Sequence, residues 1–86
     1  MITKEHLAIY NHFNGDIDGF TILSRPEERK LMDSDVWHSI EYFLQALKPI
    51  QKGLASKEYS KKITDELQGS CDSETTMEQL KTLSIK

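Results

Sequence analysis

The alternation of apolar and polar positions along this chain has its clearest helical rhythm between Asp33 and Gly53. Val36, Ile40, Phe43, Leu44 and Leu47 recur at spacings of four, three, one and three, with Trp37 beside them. That spacing places them on one face of a 3.6-residue helix, while His38, Glu41, Gln45 and Lys48 fall mostly away from it. A helix over Ser34–Lys48 is expected. Ser34 or Asp35 would cap it, and Asp33 and Asp35 meet the positive end of its dipole. Proline has no N–H to donate and disfavours helical geometry at the residue before it, so Pro49 predicts a kink or an end. Gly53 closes the stretch.

The flanking segments repeat the pattern on a smaller scale. Leu7, Tyr10 and Phe13, with Ile9 nearby, give an inward face to a helix over Thr3–Asn14, with Thr3 as cap and Asn14-Gly15 as left-handed stop. Phe20-Thr21-Ile22-Leu23 is a short run of β-favouring residues with no second strand to pair with. It reads as an extended connector whose Phe20 and Ile22 plug the core. Pro26, Glu27 and Glu28 suit the first turn of a short helix reaching Met32. Ser56 caps a further helix to Gln68, with Tyr59, Ile63 and Leu67 at i, i+4 and i+8 and Gly69 at its end. Beyond it, Met77, Leu80 and Leu83 permit a last short helix. The expected fold is an all-α bundle in one domain, with four or five short helices. The helix at 34–48 is central, those at 3–14 and 56–68 pack on it, and residues 70–86 dock loosely or fray.

Composition narrows the class. With 86 residues, 37% hydrophobic and 29% charged, the chain is one small globular domain with a modest core. Dimerisation offers such a chain an easy route to more core, so a homodimer is left open. No apolar run reaches the length of a membrane span, and Glu5, His6, Asn11 and His12 interrupt the N-terminal segment where a signal peptide needs an apolar core. The expectation is a cytoplasmic protein without a membrane partner. The net charge of −3 is uneven: residues 1–43 carry −4 and residues 44–86 carry +1. An acidic half repels phosphate backbones, which makes nucleic acid a poor partner and a basic protein a better one.

Chemistry-bearing patterns are few. Asn14-Gly15-Asp16-Ile17-Asp18-Gly19 places oxygen-bearing residues at alternate positions before a glycine, as a calcium loop does. Counting from Asn14, however, the twelfth position is Arg25, where a bidentate glutamate should close the shell, so turn chemistry is the favoured reading. His6 and His12 lie six apart and face different ways on a helix, so with His38 they make no zinc set. Cys71 is the only cysteine, and Asp72 and Glu74 beside it disfavour a reactive thiolate. Residues 45–67 have the outline of a helix-turn-helix with Lys57, Lys61 and Lys62 on the second helix. Pro49 in the first helix, Asp65 and Glu66 in the second, and the lack of arginine all count against it.

Elimination therefore leads to a non-catalytic protein that acts by binding another protein, as an inhibitor, an immunity-like protein or a regulatory partner does. No cofactor and no catalytic or metal-ligating residue is assigned. Trp37 and Tyr42, at the edge of the apolar stripe, are the candidate partner-binding aromatics, joined by Glu41, Asp16 and Asp18. The alternatives are a helix-turn-helix-like DNA-binding regulator using residues 45–67 and a divalent-ion module using the 14–19 loop.

Overall fold

A computed structural model describes residues 1–85, and they form six helices: α1 (Lys4–His12), α2 (Ile17–Leu23), α3 (Pro26–Leu31), α4 (Ser34–Gln51), α5 (Lys57–Ser70) and α6 (Glu74–Ile85). The all-α bundle is as expected, with six helices in place of four or five because residues 17–23 are helical too. Its centre is α4, which packs on α1, α5 and α6. Trp37, Ile40, Phe43, Ala46 and Leu47 of α4 are buried, and Leu7 and Ile9 of α1, Ile63 and Leu67 of α5 and Leu80 of α6 meet them.

Local chemistry sets most boundaries. Asp33, rather than Ser34 or Asp35, caps α4: its Oδ1 accepts from Val36 N at 2.9 Å. Ser56 caps α5 through Tyr59 N. Thr3 caps α1 in a reciprocal box closed by histidine. Its Oγ1 accepts from His6 N while His6 Nδ1 accepts from Thr3 N at 3.1 Å. At the other end of α1, Asn14 and Gly15 both adopt positive φ, and Gly15 N reaches Tyr10 O. This is the left-handed stop read from the sequence.

Three expectations need correction. The helix at 34–48 does not stop at Pro49 but runs through it to Gln51. The missing proline donor falls in the last turn, and the chain recovers at once. Leu54 N donates to Pro49 O at 2.8 Å and Gly53 N to Ile50 O at 3.1 Å, with Gly53 at φ +73°. That is a Schellman ending, which only a residue at ease in the left-handed region completes without strain.

Likewise α5 passes Gly69 to Ser70, because its end is covered by the N-terminal segment. Ile2 N donates to Ser70 O at 2.7 Å and Asp72 N to Ile2 O at 3.1 Å.

The third correction is to residues 20–23, which form the body of α2 instead of an extended connector. Asp16 Oδ1 accepts from both Asp18 N and Gly19 N, and this double cap outweighs the weak β-preference of Phe-Thr-Ile. In a strand Phe20 and Ile22 would share a face. In a helix they point about 200° apart. Phe20 is accordingly buried and Ile22 is 77% exposed.

Residues 74–85 are helical with Leu80 fully buried, so the last helix is built into the core through that residue. Ser73 Oγ accepts from Thr76 N, and Thr76 Oγ1 donates to Asp72 Oδ1 at 2.6 Å, fixing the entry turn.

Candidate functional site

The five residues singled out from the sequence do not form one site. Trp37 is corrected outright: at 1% exposure it is part of the core and no partner can reach it. Its ring stacks on Phe20 at 5.4 Å and leans on Tyr10 at 4.7 Å, while Phe13 meets Phe20 edge-on at 5.6 Å. The indole thus joins α1, α2 and α4. Glu41, one turn on, is half-buried near Tyr10, whose phenol is raised above its ordinary value by burial and then by that carboxylate.

Tyr42 is 48% exposed and holds a different position. Its hydroxyl donates to Glu66 Oε2 at 2.8 Å across α4 and α5, and that bond lifts its pKa. Nearer the turn, Tyr59 OH donates to Ala46 O at 2.9 Å. The pair farther from the 52–56 turn along α4 is also the farther along α5, so the two helices run antiparallel, side by side. This is an αα-hairpin, whereas a DNA-reading helix-turn-helix crosses its helices at about 90–120°. The geometry removes the support for reading residues 45–67 that way.

Asp16 and Asp18 are exposed at the start of α2. The oxygen that the calcium reading would aim at an ion is turned toward its own helix, as the double cap shows. Among the described residues no group of three His, Cys, Asp or Glu side chains is placed to hold a metal.

The surface the sequence reading missed is the α2–α3 arm. Neither helix packs broadly on the rest of the molecule. Phe20 on Trp37, buried Ser24 and Met32, and one long-range hydrogen bond attach the arm: His6 Nε2 donates to Leu31 O at 2.8 Å. Because His6 Nδ1 already accepts from Thr3 N, these partners fix the neutral Nε2–H tautomer. One buried imidazole therefore caps α1 and ties down the end of α3.

The arm turns Ile22 (77% exposed) and Leu23 (75%) to solvent, with Leu31 and Ile17 also exposed. Charges flank them. Arg25 Nε donates to Glu28 Oε1 at 3.0 Å, which holds that carboxyl below its ordinary value, and Arg29 reaches Thr21 O. The overlooked signal was Asp16 followed by Asp18 and Gly19, a cap with an acid in the first turn. Reading a helix there would have sent Ile22 outward.

Cys71 is buried, and desolvation followed by the Asp72 charge pushes its thiol pKa up. Native protein should react with a soluble aromatic disulfide on the order of a hundredfold or more slowly than protein in urea, since labelling must wait for an opening event. Equal rates in the two conditions would mean that the α5–α6 junction is open.

An open groove of about 540 Å³ lies between α1 and α6, lined among others by Leu7, Ala8, Leu83, Lys4 and Glu78. Among the described residues no helix is long and apolar enough to cross a membrane. No family model, curated protein or solved structure matches this chain, so its function has to be read from its own geometry.

Proposed function

We propose that this is a non-catalytic protein that works by binding another protein, and that the α2–α3 arm is the element it presents. The observation that carries the reading is the exposure of Ile22 and Leu23 on α2 and of Leu31 on α3, two short helices that lean lightly on the core. Apolar side chains grouped on a loosely attached element are costly in water, and they are what an interface draws on. Asp16 and Asp18 open the arm, and residues 1–43 carry −4 overall, which favours a partner whose rim is basic.

The test is a double substitution, Ile22→Asp with Leu23→Asp. Both side chains are exposed, so the melting temperature should stay within a few degrees of the parent. Tagged parent protein should capture a defined partner from its source cells, and the double variant should lose it, with affinity down by a factor of ten or more as about 1.5–3 kcal/mol per buried aliphatic side chain is forfeited. Capture of the same partner by both proteins would remove the arm from the interface.

A further inference from the structure

The α4–α5 turn is chemically unlike the rest of the molecule. Lys48, Lys52, Lys57, Lys61 and Lys62 fall within fifteen residues that contain a single acid, Glu58, giving this tip +4 while all other residues together carry −7. All five lysines are exposed. Among the described residues none of them enters an ion pair; the two pairs present, Arg25–Glu28 and Lys81–Glu78, lie elsewhere. At the apex stands Leu54, 78% exposed. In a Schellman ending the residue at this position commonly folds back on the helix it terminates. Here the backbone bond to Pro49 O is made but the side chain projects into solvent.

We propose that this tip docks on an anionic lipid surface, with Leu54 entering the boundary between headgroups and acyl chains and the lysines lying over the phosphates. The residue types select this occupant. Protein interfaces are enriched in arginine and depleted in lysine, and base edges are read by forked donors; this tip has five lysines and no arginine. A leaflet asks only for diffuse positive charge on flexible stems around a small apolar insert. A tight convex turn suits a soft surface better than it suits a cleft. The negative charge of the remaining residues is repelled by the same leaflet, so the molecule approaches tip first.

The experiment is co-sedimentation of the full chain with phosphatidylcholine vesicles, with and without phosphatidylserine. Binding should need phosphatidylserine and fall steeply as salt rises. Lys52→Gln and Lys61→Gln should each weaken it about fivefold. Leu54→Ser should weaken it about tenfold. All three positions are exposed, so the variants should keep the parent melting temperature, which a circular-dichroism melt verifies. The proposal is overturned if low-salt phosphatidylserine vesicles leave the protein in the supernatant, or if the variants bind as the parent does. It is equally overturned if duplex DNA at the same salt is bound more tightly than the vesicles, which would assign the tip to nucleic acid.

Discussion

Trp37→Ala should lower the stability of this protein by about 3–5 kcal/mol, the loss typical of truncating a buried large aromatic. The indole is almost wholly buried, and three helices meet on it: α1 through Tyr10, α2 through Phe20, and α4 from which it projects. Alanine would leave a void bordered by two rings whose partner is gone. Chains of this size have a total stability of roughly 4–13 kcal/mol at about 0.05–0.15 kcal/mol per residue. A loss of that order therefore removes about a quarter or more of the total. At roughly 4–8 °C per kcal/mol the midpoint should fall by at least about 12 °C in a circular-dichroism melt. Tyr42→Ala provides the matched control. It lies on the same helix but is half exposed, and its bond to Glu66 is at the surface, so its cost should be about 1 kcal/mol or less. Equal melting points for the two variants would mean that the tryptophan face is not the core.

The same residue marks where sequence reasoning succeeds and where it stops. The stripe from Val36 to Leu47 was legible because helical periodicity is a property of the segment itself. The caps Thr3 and Ser56 and the Asn14-Gly15 stop were legible for the same reason: each acts within a few residues of its own position. What lay at the edge of the stripe was not. Whether Trp37 faces water or protein depends on Phe20 and Tyr10, which arrive from elements far away in sequence. The passage of α4 through Pro49 depends on the Gly53 turn, and that of α5 through Gly69 on Ile2. A Schellman turn a few residues further on replaced the local stop signal in the first case, and tertiary hydrogen bonds did so in the second. The arm was missed because its register was assigned by strand alternation, which puts Ile22 beside Phe20 instead of opposite it. Moving that single assignment to a helical period turns a presumed core plug into the most exposed apolar side chain of the arm.

Leu80→Ala tests the least obvious part of the architecture, and its expected cost is about 2–5 kcal/mol. The helix that carries it is weakly amphipathic by composition: Glu74, Thr75, Glu78, Gln79, Lys81 and Thr82 surround a few apolar positions. Yet α6 packs on α4, α1 and α5, and Leu80 is completely buried while Met77 and Leu83 are only partly so. One leucine therefore carries most of the apolar anchoring, with the buried Thr76 satisfied by Asp72 at the entry turn. Because α6 touches the same helix that holds Trp37, its loss should be felt globally. In urea, the fluorescence of Trp37 and the helical signal should shift together to a lower midpoint, as a two-state transition requires. A variant whose fluorescence midpoint matches the parent while helix signal and amide protection are lost only over residues 74–85 would show a frayed tail instead. In that case the core would close without its last helix, and the groove between α1 and α6 would exist only part of the time.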